Sequence, residues 1–194
     1  MFRPMEKGRL EAFSDGVLAI IITIMVLELK APHDGGWAAL GTLIPKFLSY
    51  VLSFLYVGIY WNNHHHMLKT VHRVNGSILW ANLHLLFWLS LVPFTTAWLA
   101  ESHQATAPVT LYGVVLLLSA VAYYILQCAI VAEHGREGLL RAALGNDAKG
   151  KISIALYALA IAASIWATWP ALGIYIAVAL IWLVPDRRIA RVVK

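Results

Sequence analysis

Six long apolar stretches dominate the sequence, and their length is what most constrains the fold. A helix needs roughly 20 apolar residues to cross the hydrocarbon core of a bilayer. Inside that core, only helices and closed barrels satisfy all of their backbone hydrogen bonds. The stretches lie at 10–29, 43–64, 77–99, 109–132, 152–169 and 171–185. We therefore expect an all-α integral membrane protein with six transmembrane helices in a single domain over residues 1–194.

The composition agrees with this class of protein. Apolar residues make up 60% of the chain and charged residues 13%, and the mean hydropathy is +0.71. A soluble domain has about 45–50% apolar and about 25% charged residues. The single cysteine, Cys128, excludes an intrachain disulfide and a thiolate metal cluster.

The last two apolar stretches are separated only by Trp169-Pro170. Proline removes a backbone donor and is expected to end the helix before it. This favours a tight helical hairpin, and a single long kinked helix is the alternative.

Lysine and arginine are distributed very unevenly across the predicted loops. With six spans, 13 of the 15 basic residues fall on the side of the two termini, and only Lys30 and Lys46 fall on the other side. Basic residues concentrate in cytoplasmic loops, so both termini should be cytoplasmic. The same asymmetry accounts for the net charge of +5, so no nucleic-acid partner is expected.

The first apolar stretch has two different faces when it is drawn as a helix. Consecutive residues of a helix are rotated by about 100° around its axis. At this rotation five residues fall on one narrow stripe of a single face: Phe13, Gly16, Ile20, Thr23 and Leu27. Asp15 lies about 140° away from Ile20, on the same far side as Ser14 and Glu11. Asp15 and the stripe therefore cannot easily line the same lumen.

The periodicity of the stripe is also compatible with purely structural roles. Apolar residues at helical spacing also serve helix packing or lipid contact, and a threonine such as Thr23 often bonds back to a carbonyl one turn earlier. Asp15 can be a structural anchor held by polar partners, or a proton relay or ion ligand. Candidate partners at the same depth are His64, His65 and Asn82.

The three consecutive histidines His64, His65 and His66 suggest a metal site only weakly. Adjacent helical residues point about 100° apart, and no carboxylate or cysteine lies nearby in the sequence to complete a tetrahedral site. Protonation near neutral pH is the better use of these side chains.

Several short motifs together resemble the prokaryotic branch of the transmembrane-175 potassium channel family. They are Arg9-x-x-x-Phe13-Ser14-Asp15-Gly16 in the first span, Trp61-x-x-His64 closing the second, Asn82 in the third, and Pro93-Phe94-x-Thr96 near its end. The first of these motifs is specific, and the others are short. His66 departs from the pattern, because a basic residue often occupies that position in the family.

The resemblance implies a potassium-permeable, moderately selective cation channel and no enzyme activity. It implies a homotetramer in which the first helix of each subunit lines a central pore, with the constriction at Ile20, Thr23 and Leu27. These are three of the five stripe residues. No cofactor is implied beyond permeant K⁺ and other monovalent cations, and the location is the prokaryotic cell membrane.

The resemblance also implies that the cytoplasmic end of the first helix is held in place by a network. Its members would be Arg9, Phe13, Ser14, Asp15, Gly16, His64, His65 and Asn82. In this interpretation Asp15 is tied to His64 or His65 and to Asn82, and Gly16 permits close approach of a neighbouring helix.

A proton- or cation-coupled secondary transporter that uses Asp15 and the His64–His66 cluster is the alternative function. Such transporters usually show internal repeats and broken helices around a site at the membrane midplane. Neither feature is visible in the sequence.

Overall fold

The computed structural model describes residues 6–32, 36–102, 104–135, 139–140 and 147–183. Seven helices account for most of them. They are α1 (Lys7–Leu27), α2 (Trp37–Lys69), α3 (Gly76–Ser90), α4 (Val92–Glu101), α5 (Thr106–His134), α6 (Ala148–Ser164) and α7 (Thr168–Leu183).

Four helical stretches in the described ranges are long and apolar enough to cross a membrane. They are α1, α2, α5 and the combined segment Gly76–Glu101, and α7 is a shorter apolar helix. At 1.5 Å per residue the 16 residues of α7 reach about 24 Å, slightly less than the hydrocarbon core of about 30 Å.

The third predicted span, 77–99, is two helices rather than one. Helix α3 ends at Ser90 and α4 begins at Val92, with Leu91 between them. Pro93 in the first turn of α4 has no N–H group, so the regular hydrogen-bond ladder cannot run through this point. The two helices together still form one candidate span, Gly76–Glu101, so the predicted third crossing is present with a break inside it.

The last two predicted spans form a hairpin, but its turn lies earlier than the proline. Ile165, Trp166 and Ala167 separate α6 from α7, and Pro170 lies in the first turn of α7, where its missing N–H is tolerated. The indole of Trp182 near the end of α7 donates to Ser153 near the start of α6 (2.7 Å), as antiparallel packing requires.

Two hydrophobic clusters form the core. The first joins α1 to α2, α3 and α5 and includes Leu18, Met25 and Leu85, and the second joins α2 to α5, α6 and α7. In the second cluster, buried tyrosines connect the helices. The Tyr56 hydroxyl donates to the Tyr175 carbonyl (2.5 Å), and the Tyr175 hydroxyl donates to the Val109 carbonyl (3.2 Å).

Gly113 on α5 provides the space that the Tyr175 ring occupies. A Cβ atom at this position would overlap the Tyr175 hydroxyl and ring and would crowd Ile161. Close packing of α5 against α6 and α7 therefore depends on the absence of a side chain at residue 113.

We expect Gly113→Ala to lower the free energy of unfolding by about 1–3 kcal/mol, as overpacking of a filled core does. The measurement is thermal unfolding in detergent. Gly173→Ala on α7 is the matched control, because a Cβ there meets no atom within 4 Å. A melting temperature that falls equally in both variants would contradict this account.

Candidate functional site

Helix α1 buries one face and leaves the other uncovered by the rest of the described chain. The buried face repeats every three or four residues and consists of Leu10, Ser14, Leu18, Ile21 and Met25. It packs into the first core cluster, so the rotation of α1 about its axis is fixed.

The stripe predicted from the sequence is the uncovered face. Phe13, Ile20 and Leu27 are 50%, 59% and 74% exposed, and Gly16 and Thr23 are exposed between them. Large apolar side chains exposed in a row on one helix face indicate contact with something outside this chain.

Thr23 contributes the hydroxyl of the stripe. Its Oγ1 donates to the Ile20 carbonyl, three residues earlier in the same helix (2.9 Å). The proton of the hydroxyl is therefore used within the helix, and the oxygen lone pairs remain available on the exposed face.

A chain of buried side chains fixes the other face of α1 near its N-terminal end. The Asn82 amide nitrogen donates to Ser14 Oγ (3.0 Å), and Ser14 Oγ donates to the Leu10 carbonyl (2.8 Å). The Asn82 carbonyl oxygen lies 2.7 Å from His64 Nε2. An amide oxygen only accepts hydrogen bonds, so Nε2 carries the proton. Ser14, His64 and Asn82 are at most 2% exposed, and we call them the anchoring relay.

Asp15 has a different partner from the one expected. Its Oδ1 accepts a hydrogen bond from the Trp61 indole nitrogen (3.0 Å), and Ser14 takes the position next to Asn82. The expected bonds of Asp15 to His64 or His65 and to Asn82 were therefore wrong. Adjacent helical residues point about 100° apart, so Ser14 and Asp15 face different neighbouring helices.

Trp61 is a partner of Asp15 that was not predicted from the sequence. Its signal was present, because it lies one helical turn before His64 on α2 and therefore on nearly the same face. The His65 ring stacks on Trp61 with centroids 6.1 Å apart, and His66 meets His65 edge to face. His65 is thus linked to Asp15 only through the indole.

The remaining predicted residues lie at the ends or on the open side of α1. Arg9 is exposed and about five turns from Leu27, so it lies in line with the stripe at the N-terminal end of α1. A Cβ on Gly16 would meet no atom within 4 Å. No helix in the described part of the chain approaches Gly16 closely, so the expected close approach is not seen among these residues.

A wide groove runs beside the stripe between α1 and α4. Its volume is about 790 Å³, and Ile20 and Ile24 form one wall while Phe94 and Trp98 form the other. Glu28 and Glu101 stand at the end of the groove away from Arg9. The groove and the stripe share Ile20, and Phe13, Gly16, Thr23 and Leu27 of the stripe lie outside the groove.

The helices and the polar contacts of α1 define an all-helical polytopic membrane protein. Over 190 residues the chain is 58% identical to a protein of Chryseobacterium sp. named a potassium channel, covering 98% of this chain and 99% of that one. A family model described as endosomal/lysosomal potassium channel TMEM175 matches residues 9–93. The chain belongs to the TMEM175 family, whose members are ion channels and not enzymes.

Two further relatives agree with this assignment. A protein of Streptomyces collinus named a potassium channel is 43% identical over 129 residues, which is 61% of each chain. The crystal structure of a lysosomal potassium-selective channel TMEM175 homolog from Chamaesiphon minutus matches with a TM-score of 0.80 and 31% identity, covering 93% of this chain and 97% of that one. The resemblance and the all-α membrane fold predicted from the sequence are thereby confirmed.

Replacing the central member of the anchoring relay tests its contribution to stability. We expect Asn82→Ala to lower the free energy of unfolding by about 1–3 kcal/mol, because Ser14 and His64 lose a buried partner. Thermal unfolding in detergent measures the loss.

Asn63→Ala is the control for this experiment. Asn63 is also buried, but its amide donates only to the Ile59 carbonyl one turn earlier in the same helix. Its loss should cost less than that of Asn82. Equal destabilisation by the two substitutions would show that the relay has no special role in fixing α1.

Proposed function

We propose that this chain is a moderately selective, potassium-permeable cation channel in which α1 from four copies lines a central pore. The observation that carries the proposal is the contrast between the faces of α1. One face is fixed by buried apolar and polar contacts, and the opposite stripe is left without a partner in the described chain. The names of the relatives in Chryseobacterium and Streptomyces support potassium as the permeant ion.

The groove between α1 and α4 supports a ring of subunits. In a ring, the α1 helix of one copy would enter the groove of the next, so two different surfaces meet at each interface. Such head-to-tail contacts close into rings when the rotation between copies allows it. The exposed Gly16 then permits close approach of a helix from another copy. We infer a homotetramer, in which residues 1–194 of each copy form a single channel domain.

The proposed constriction consists of Ile20, Thr23 and Leu27. Four Ile20 and four Leu27 side chains would form apolar collars that oppose hydrated ions and can close by dewetting. Between them, the four Thr23 oxygens would face a partly dehydrated cation with their lone pairs. A narrow, weakly coordinating passage favours K⁺, which sheds water at lower cost than Na⁺. No cofactor is proposed.

The network at the cytoplasmic end would hold each α1 at a fixed rotation. Ser14, His64 and Asn82 form its buried part, and Asp15 with Trp61 forms its half-buried part. His65 supports the indole by stacking. Arg9 and Phe13 stand on the lumen side, with Arg9 at the cytoplasmic mouth.

The transporter alternative loses its main support in this arrangement. Asp15 accepts a hydrogen bond from Trp61 on the face away from the stripe, which suits a structural anchor. His64 is fully buried and bound to Asn82. The relatives named potassium channels also favour a channel.

The proposed location is a prokaryotic cell membrane with both termini in the cytoplasm. The support is the excess of lysine and arginine on the side of the termini.

A planar-bilayer recording of purified protein under opposed K⁺ and Na⁺ gradients tests the function. Currents that reverse closer to the K⁺ than to the Na⁺ equilibrium potential support it, and a bilayer without channel currents contradicts it. Native mass spectrometry should give the mass of four chains of 21.5 kDa.

Replacing Leu27 by a small polar residue should widen and wet the proposed outer collar. We expect Leu27→Ser to raise single-channel conductance by about twofold or more, because the barrier to hydrated ions falls. Val26→Ser is the matched control, since Val26 is also exposed but points about 100° away from Leu27. Equal conductance changes in the two variants would contradict a collar at Leu27.

Replacing the hydroxyl of Thr23 by a methyl group should change ion preference without changing the size of the side chain. We expect Thr23→Val to lower the permeability ratio of K⁺ to Na⁺ by about twofold or more, as loss of oxygen ligands would. Reversal potentials under mixed K⁺ and Na⁺ solutions measure the ratio.

Thr42→Val is the control for that experiment. Thr42 on α2 is also exposed, and its hydroxyl also donates to a carbonyl three residues earlier, Ala39 (2.7 Å). If the Thr23→Val and Thr42→Val variants have the same permeability ratio of K⁺ to Na⁺, Thr23 does not face the permeating ion.

A further inference from the structure

The linker between α2 and α3, residues 70–75, is attached to the end of α5 by a histidine. Val71 and Val74 are buried in the first core cluster, and His72 and Arg73 between them are exposed. The backbone N–H groups of His72 and Arg73 both point at His134 Nε2, at 2.9 and 3.3 Å. One ring nitrogen thus accepts two hydrogen bonds from the linker.

The protonation state of His134 follows from its partners on both sides of the ring. His134 Nδ1 lies 2.9 Å from the Ile130 carbonyl, which can only accept, so Nδ1 carries a hydrogen. Backbone N–H groups can only donate, so Nε2 must be bare. The contacts therefore require the neutral imidazole with its proton on Nδ1.

We propose that His134 is a proton-binding site that controls the attachment of the α2–α3 linker. Binding of a proton at Nε2 removes its lone pair and brings a hydrogen against two N–H groups. Both hydrogen bonds are then lost, while the Nδ1 bond to Ile130 is kept. Histidine is the side chain that ordinarily changes charge between about pH 5 and pH 8, and this range sets the conditions of the test.

Among the other charged and titratable groups described around His134, none accepts the N–H groups of His72 and Arg73. The His72 ring lies edge to face with His134, with centroids 5.9 Å apart, and it is exposed. Glu133, the neighbour of His134 on α5, accepts a hydrogen bond from Asn75 and supplies a second attachment of the linker. Lys7 donates to the Lys69 carbonyl at the other end of the linker (2.9 Å), and Arg73 takes part through its backbone.

The position of the linker connects this site to α1. The linker joins α2, which carries Trp61 and His64, to α3, which carries Asn82. Protonation of His134 would loosen the connection between the two helices that hold α1. This coupling to the current rests on the proposed channel function, and with the proposed topology the sensed pH is that of the cytoplasm.

Hydrogen exchange of the backbone amides tests the proton site without reference to conduction. In the full chain in detergent, the protection factors of the His72 and Arg73 amides are compared at pH 7.5 and 5.5, each corrected for the intrinsic rate. We expect about a tenfold or greater fall at pH 5.5, which corresponds to a loss of about 1.4 kcal/mol or more from the two hydrogen bonds. Unchanged protection at the two pH values would overturn the proposal.

Two glutamine variants identify the titrating group. His134→Gln places a carboxamide oxygen near the position of Nε2, where it can accept both N–H groups but cannot be protonated. We expect its protection factors to be independent of pH. His72→Gln keeps the backbone N–H and removes the neighbouring ring, so the pH response should persist. A response that persists in His134→Gln, or disappears in His72→Gln, would assign it to another group.

Current recordings test the coupling to α1 separately. We expect a shift from pH 7.5 to 5.5 on the side of the termini to change open probability by about twofold or more in the wild type, and not in His134→Gln. The same response in both proteins would overturn the coupling and leave the proton site to the exchange result. Absence of currents in every variant would count against the proposed function, while the exchange experiment still decides the inference about His134.

Discussion

The arrangement of the molecule depends on the anchoring relay, in which Asn82 forms one buried hydrogen bond with Ser14 and another with His64. Little water is available inside a bilayer, so polar side chains there are stable only when they satisfy one another. The Asn82 amide bonds Ser14 and His64 at one rotation of α1, and a turn of 100° about the helix axis would break the contact. The direction of the opposite face, and with it the proposed lumen, follows from this constraint.

A second set of hydroxyl contacts joins the helices on the far side of the molecule. Tyr56 connects α2 to α7, Tyr175 connects α7 to α5, and Ser53 connects α2 to Tyr112 of α5. Each bond joins helices distant in sequence and is buried in the second core cluster. These contacts make α2, α5 and α7 a common support against which α1 and α3 are held.

The lengths of the apolar stretches and the helical angles of α1 were enough to predict the class of fold and the uncovered stripe. Both are properties of single helices, which a sequence determines locally. The partner of Asp15 was not predictable in the same way, because it depends on how far α2 is shifted along α1. Ser14 and Asp15 were both plausible partners for Asn82, and only the packing of three helices decides between them. The third apolar run does form one candidate span, but the break at Leu91 inside it was not predicted, although Pro93 marks it.

The polar contacts that α1 makes with other parts of the described chain all lie in its first half, at Lys7, Ser14 and Asp15. From Gly16 onward, α1 is held by apolar packing of residues such as Leu18, Ile21 and Met25. Directional bonds resist sliding and rotation, whereas apolar contacts tolerate small displacements at little cost. Helix α1 is therefore held by hydrogen bonds to its neighbours only toward its N-terminal end, among the described residues. Its other end, where Ile20 to Leu27 lie, can bend over about 10 Å of length without breaking a single hydrogen bond to a neighbouring helix.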